Sequence, residues 1–171
     1  MYRVYLSFGG NVGDVEATII RSVRDLTSTG LCQLERLSSL YQTPPWGNIS
    51  QDYFFNACAK FATELEPEVF LRLCQAIELK HGRERVAKWG PRTIDIDLLL
   101  YDAFENYNSD SLIMPHPFML QRGFVLKPLH EIAPELIIAR HSIAEYLKTI
   151  PELDTIKRCK NSLAWQNLAY L

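Results

Sequence analysis

The sequence predicts a single α+β domain spanning residues 1–171. It would have a ferredoxin-like βαββαβ core, an antiparallel sheet with two helices packed on one face, and a C-terminal helical extension. Three observations carry this. Apolar alternation at period two recurs at 2–8, 54–62 and 94–101, and imperfectly at 33–42. Two runs of helical period, each with start and stop signals, fall between the first and second strands and between the third and fourth. Finally, 171 residues that are 47% hydrophobic and 22% charged can bury a core without disulfides or metals.

Each element has its own justification. Tyr2, Val4, Leu6 and Phe8 alternate with Arg3, Tyr5 and Ser7, and Gly9, Gly10 and Gly13 are expected to end that strand. Asp14 is a suitable N-cap for a helix with Val15, Ile19, Val23 and Leu26 on one face. Residues 33–42 read as one strand, stopped at Thr43-Pro44-Pro45-Trp46-Gly47 because proline cannot donate to a ladder. From Phe54 to Ala62, Phe55, Ala57, Ala59 and Phe61 share a core face, leaving Phe54, Asn56, Cys58 and Lys60 on the other. A second helix starts at Pro67, ends before Gly82 and carries Phe70, Leu73 and Ile77 as its stripe. Residues 83–92 lack a period and form a loop, and Ile94–Tyr101 is the last core strand. Beyond it, Ser142-Ile-Ala-Glu145 is a capping box. The tail 151–171 is the least assignable part; Leu163, Trp165 and Leu168 suggest that it docks.

Composition excludes several classes. A net charge of −2 offers no global attraction for nucleic acid or anionic membrane. Cys32, Cys58, Cys74 and Cys159 form no CxxC pair and have no histidine at zinc spacing, so they read as reduced thiols, Cys58 and Cys74 in the core. The apolar run at the N-terminus is too short for a signal peptide, and no window approaches a membrane span. A cytoplasmic location is expected.

The most informative stretch is Trp89-Gly-Pro-Arg-Thr-Ile-Asp-Ile-Asp-Leu-Leu-Leu. Residues two apart on a strand share a face, so Asp95 and Asp97 project together while Ile94, Ile96, Leu98 and Leu100 enter the core. Two adjacent carboxylates repel unless a cation intervenes, and magnesium takes one or two carboxylates plus substrate phosphates. The spacing alone equally allows a solvated acidic face. Just upstream, Lys80, Arg83, Arg85, Lys88 and Arg92 outnumber Glu84, a local excess of positive charge suited to polyphosphate. A plain solvated loop is the alternative. There is no P-loop motif and no protein-kinase motif set, and the Gly9–Gly13 turn matches no phosphate motif; its missing side chains would let a ligand approach closely.

Two further segments bear on ligands. Phe54 and Asn56 share a strand face, where a ring and an amide can hold a flat heterocycle, or simply pack. His116 is held between Pro115 and Pro117 ahead of Arg122-Gly123-Phe124, a rigid loop setting. His81, His130, His141 and Trp165 read as incidental.

Taken in order, these blocks resemble the 6-hydroxymethyl-7,8-dihydropterin pyrophosphokinase family along nearly the whole chain. The matching residues are Gly9-Gly-Asn11, Ser39-x-Tyr41-x-Thr43-Pro-Pro-Trp-Gly47, Phe55-Asn56-Ala57, Glu78, Gly82-Arg-x-Arg85, Trp89 to Asp97, Pro115-His116-Pro117 and Arg122 to Pro134. The resemblance implies transfer of pyrophosphate from ATP to a pterin alcohol, with Asp95 and Asp97 holding two magnesium ions. It implies that Arg83 and Arg92 neutralise phosphate charge and, with the aspartates, form the catalytic set. Arg85, His116 and Arg122 would contact the nucleotide, and Gln75 and Leu98 would line its adenine and ribose pocket. The pterin would lie between Phe54 and Phe124, with Gly9, Thr43, Pro44, Pro45, Trp46 and Asn56 around it. Trp89 would close over both ligands.

Three positions depart from the family pattern: Gly10 where many members carry serine, Val86 where some carry lysine, and Ser111 where some carry a nucleotide-contacting arginine. A nucleotidyltransferase is the rival with similar chemistry; it would release pyrophosphate. A non-catalytic ligand-binding module is the rival of another class, and an RNA-binding version lacks the aromatic motif. The expected partners are ATP and the pterin, without nucleic acid or membrane, in a monomer or a weak homodimer.

Overall fold

Strand β1 (Tyr2–Gly10) runs between two neighbours in a computed structural model that describes residues 1–44, 52–82, 92–104, 106–151 and 153–169. β4 (Phe54–Thr63) pairs with one edge of it and β5 (Asp95–Tyr101) with the other, both antiparallel. β4 takes two short strands on its far side: β2 (Cys32–Leu37) along its C-terminal half and β3 (Tyr41–Thr43) along its N-terminal half. The expected single strand over 33–42 is therefore broken at 38–40. Gly9 and Gly10 also differ from expectation. They continue β1 in register opposite Asn56 and Phe55, since glycine costs a strand entropy but not its hydrogen bonds.

Helices α1 (Val15–Ser28) and α2 (Pro67–Lys80) cover one sheet face. The Asp14 side chain caps α1 by accepting from the Ala17 N–H at 3.0 Å. Ile19, Val23, Leu26, Phe70, Cys74 and Ile77 meet Val4, Leu6, Phe8, Ala59, Phe61, Ile96 and Leu98 in a dry core. Leu73 is only half-buried, and Cys74 takes the central place in the α2 stripe. His81 is not incidental: its Nε2 lies 2.7 Å from Asp25 and ties the end of α2 to α1.

The expectation of helices on one face only is incomplete. A further helix, α3 (Gly123–Ile132), lies on the opposite face and packs Val125, Leu126 and Leu129 on Tyr5, Cys58, Leu99 and Leu100. Leu100 thus sits on the face opposite the one its alternation predicts. A register shift between Tyr5 and Leu6 inserts Leu99, so every residue beyond it changes face. Tyr101 consequently joins Tyr2, Phe70 and Phe104 in an aromatic cluster below α2.

Two hairpins separate the remaining elements, β6 (Tyr107–Asn108) with β7 (Ile113–Met114) and β8 (Ile137–Ile138) with β9 (His141–Ser142). α4 (Ile143–Leu147) carries the expected capping box at Ser142 and Glu145. β10 (Lys157–Arg158) then adds an edge strand to β3, and α5 (Leu163–Ala169) returns to the α1 face. The tail docks as expected through Trp165 and Leu168, both fully buried, whereas Leu163 is exposed. All four cysteines are free, with Cys58 and Cys74 in the core. Among the described residues no helix is long and apolar enough to cross a membrane.

Candidate active site

The α3 face of the sheet is covered only in part. Asn56 on β4, Gly9 on β1 and Asp95 on β5 stand side by side in one row, with Cys58, Ser7 and Asp97 in the next. The Cys58 row meets the first turn of α3, where Cys58 Sγ lies 3.5 Å from the Val125 carbonyl oxygen. Gly9 keeps the middle of the first row low. A Cβ there would stand 3.0 Å from Asn56 Oδ1, tighter than ordinary contact, so the Asn56 side chain would have to give way.

On the β4 side, buried Asn56 donates from Nδ2 to Thr43 Oγ1 at 3.1 Å. Pro44 and Phe54 are half-buried nearby in sequence, Phe54 being the register partner of Thr43. Phe124 is half-buried in the first turn of α3. An amide, a hydroxyl and flanking rings can read the edge and faces of a flat heterocycle.

On the β5 side, both aspartates have a guanidinium partner. Arg92 Nη1 hydrogen-bonds Asp95, and Arg122 Nη1 lies 3.6 Å from Asp97. Arg122 also stands over the Phe118 and Phe124 rings, 5.4 and 5.8 Å from their centroids. The turn after β1 fixes Arg92: Asn11 and Val12 donate N–H groups to its carbonyl, while its own N–H donates to Asn11 Oδ1 at 3.0 Å. The Gly9–Gly13 turn therefore acts as a backbone clamp on the Arg92 segment, a role its composition did not reveal.

Beyond β5 lies a cleft of about 370 Å³ lined by Gln75, Asp97, Leu98, Ser111, His116 and Pro117 among others. His116 accepts the Phe118 N–H at Nδ1, 3.3 Å away, leaving Nε2 to carry a proton. Burial pushes its imidazole below the usual range; Asp97 and Asp95 pull it back up, and Arg122 adds to the depression. Glu78 also lines this cleft, and sequence reasoning gave it no role. It is buried on α2, and its Oε1 accepts the Ile96 N–H at 2.7 Å, holding β5 between the two aspartates. Its signal was an acid one residue beyond Ile77, at the buried edge of the helix stripe.

The structure thus gathers Gly9, Thr43 and Asn56 on one side and Gln75, Leu98 and His116 on the other, with Arg92, Asp95, Asp97 and Arg122 between. Pro45, Trp46, Arg83, Arg85, Val86 and Trp89 lie outside the described residues. The aspartate pair fits magnesium. Both ligands are hard oxygen donors, no sulfur accompanies them, and among the described residues no third His, Cys, Asp or Glu joins them. An ion there would complete its shell with phosphate oxygens and water.

Comparison with known proteins shows the family of the chain. The family model described as 7,8-dihydro-6-hydroxymethylpterin-pyrophosphokinase matches residues 5–134. The chain belongs to that family. A 2-amino-4-hydroxy-6-hydroxymethyldihydropteridine pyrophosphokinase from Methylorubrum extorquens is 43% identical over 147 residues, which is 86% of this chain and 92% of that protein. One from Bacillus subtilis is 40% identical over 132 residues, 77% of this chain and 78% of that protein. Among solved structures, the wild-type HPPK-DHPS of Plasmodium falciparum with pteroate superposes with a TM-score of 0.68 at 14% identity. That match covers 92% of this chain and 47% of the other, so the chain spans about half of that larger protein. The likeness supports a mixed fold of antiparallel sheet and helices.

Proposed function

We propose that the chain transfers a pyrophosphate group from ATP to 6-hydroxymethyl-7,8-dihydropterin, yielding AMP and the pterin diphosphate in folate biosynthesis. The observation that carries this is the position of Asp95 and Asp97 between two recesses of different chemistry. One offers Thr43 and Asn56 for a heterocycle edge; the other offers Gln75, Leu98 and His116 for a nucleotide.

In this reading the pterin edge bonds to Asn56 and Thr43, with Gly9 beneath and the Phe54 and Phe124 rings on its faces. Adenine and ribose occupy the cleft beside Gln75 and Leu98. Asp95 and Asp97 would hold two magnesium ions, whose chemistry is to draw charge from the entering and leaving oxygens. Arg92 and Arg122, paired with the aspartates in this structure, would supply positive charge to the phosphate oxygens of the nucleotide. Neutral His116 donates from Nε2 to a phosphate oxygen, its tautomer fixed by the Phe118 N–H. Arg83, Arg85, Pro45, Trp46 and Trp89 take their family roles from sequence alone. The hydroxymethyl oxygen attacks the β-phosphorus as its proton passes to solvent, the bond from that phosphorus to the α-phosphate oxygen breaks, and AMP leaves. Most of the acceleration comes from positioning and charge.

Several finer readings accompany this one. The spatial order β5–β1–β4–β2/β3, all antiparallel, supports the ferredoxin-like description. We read 1–171 as one domain, in the cytoplasm because four free thiols suit a reducing compartment, and as a monomer or weak dimer. The test is a product assay with ATP, magnesium and 6-hydroxymethyl-7,8-dihydropterin that resolves AMP from pyrophosphate. AMP in step with pterin consumed is expected; released pyrophosphate would make the chain a nucleotidyltransferase.

A further inference from the structure

The break at 38–40, where one long strand was expected, has an unusual hydrogen-bond account. The Ser38 N–H donates to the Cys58 carbonyl, but most of the other main-chain groups there turn to partners outside the sheet. Trp165 Nε1 donates to the Ser38 carbonyl at 3.0 Å. Ser39 N–H donates to Glu131 at 3.1 Å, and Leu40 N–H to Asn161 Oδ1 at 3.1 Å. The Leu40 carbonyl accepts from the Cys159 N–H at 2.8 Å. Three of these partners belong to the tail, beyond the residues that match the family model.

Glu131 is the hub. Its carboxylate, near the end of α3, accepts from Ser39 N–H, Ser39 Oγ at 2.8 Å, Tyr41 Oη at 2.9 Å and Arg158 Nη2 at 3.1 Å. Arg158 Nε in turn donates to Ser39 Oγ at 2.7 Å. The carboxylate also pushes the Tyr41 phenol up, in addition to its burial, so the donor stays protonated. Tyr41 opens β3, two residues before Thr43, whose Oγ1 is held 3.1 Å from Asn56 Nδ2.

We infer that Glu131, with Arg158, Asn161 and Trp165 of the tail, is a positioning clamp that sets β3 and so the Thr43–Asn56 pair that reads the pterin edge. None of the four touches the aspartates or the nucleotide cleft among the described contacts. The clamp therefore acts on pterin affinity and leaves nucleotide affinity alone. This inference rests on the pterin reading proposed above for the Thr43–Asn56 recess.

The experiment uses the full chain and two variants, Glu131→Gln and Trp165→Phe; the second removes the Nε1–H donor together with part of the buried indole, so its cost in global unfolding is measured alongside. Pterin and ATP-analogue dissociation constants are measured beside amide hydrogen exchange across 38–44 and 95–101. With Glu131→Gln, exchange should speed up at 38–44 alone, and pterin affinity should fall about tenfold, the scale of a lost charge-assisted bond. ATP-analogue affinity and the pterin-saturated rate should stay within about twofold. Trp165→Phe should show the same pattern more weakly. Parallel losses for both ligands, or faster exchange throughout, would reduce the clamp to general stability and overturn the inference. Faster exchange at 38–44 with unchanged pterin affinity would overturn it too. A wild-type chain that binds the ATP analogue but no pterin would instead sink the substrate reading. The exchange pattern would then decide by itself whether the clamp holds β3.

Discussion

Two halves of one sheet face differ by what the same strands carry two residues further on. Under α3, β1 presents Tyr5, flanked in register by Lys60 and Leu100. One row on, the trio is Cys58, Ser7 and Asp97; at the open end it is Asn56, Gly9 and Asp95. Along β1 the side chain shrinks from a ring to a hydroxymethyl to nothing, so the floor drops toward the open end. Along β5 the apolar pair Leu99 and Leu100 gives way to carboxylates. The covered half rests on apolar burial against α3, while the open half holds two carboxylates by ion pairs to Arg92 and Arg122. A functional recess is here a sheet face whose packing has been withdrawn row by row, beside a half that keeps it.

The largest expected contrast crosses these halves. Asp97→Ala should reduce AMP formation by about 10³-fold, since it removes an oxygen donor from the proposed metal pair. Its effect on unfolding free energy should stay within about 1 kcal/mol, because the Arg122 contact it loses is a partly exposed pair at 3.6 Å. Leu126→Ala, fully buried on α3, should do the reverse: a loss of about 3 kcal/mol in urea unfolding, with turnover of the folded chain within about twofold. Equal damage to turnover from both would show that the halves are not separable.

A smaller effect should follow from crowding the backbone behind the open end. A Cβ at Gly10 would lie 2.6 Å from the Thr93 carbonyl oxygen and 3.3 Å from that of Arg92, both backbone atoms. Gly10→Ala must therefore push away the segment that Asn11 clamps and Arg92 extends from. Turnover should fall about tenfold through a misplaced Arg92, a loss on the scale of one displaced charge-assisted contact. The same distance bears on relatives with serine at this place. A Gly10→Ser variant as active as the parent would show that the 92–93 segment yields cheaply.

What could be read from the sequence follows the reach of local rules. Helices α1 and α2 were legible because Asp14, Pro67 and a 3.6-residue stripe all act within a few positions. The shared face of Asp95 and Asp97 was legible because strand parity holds over three residues. Parity failed by Leu100, where one inserted residue reversed the faces and nothing local to 98–100 marks it. The split of 33–42 was hidden because its cause lies far along the chain, in Glu131, Asn161 and Trp165. Helix α3 went unread since Gly123 and Pro128 interrupt its pattern, although Val125, Leu126 and Leu129 bury as a helix face should. Cys58 was read as a core residue, but without α3 nothing accounted for what covers its face of β4. The candidate residues were readable by type, but the clamps that place them, Asn11 on Arg92 and Glu78 on β5, are long-range and needed coordinates.

The finest test of the comparison uses the thiols as reporters. Cys159 is half-buried, Cys32 nearly buried, and Cys58 and Cys74 fully so, the last two lying on opposite sheet faces. Burial pushes the Cys32 thiol up to about 11, so about one in a thousand is ionised at pH 8, and Cys58 and Cys74 are pushed higher still. In the native chain at pH 8, an aromatic disulfide reagent should titrate Cys159 first and Cys32 slowly. Cys58 and Cys74 should react only as fast as the chain unfolds, and at one common rate if both faces form one cooperative core. A saturating ATP analogue should slow both equally, by about 100-fold at 100 times its dissociation constant. Faster labelling of Cys58 than of Cys74 would mean that α3 lifts by itself. The covered half would then be a lid over the rows that lead to Asp97, and the division drawn between a packed half and a working half would have to move.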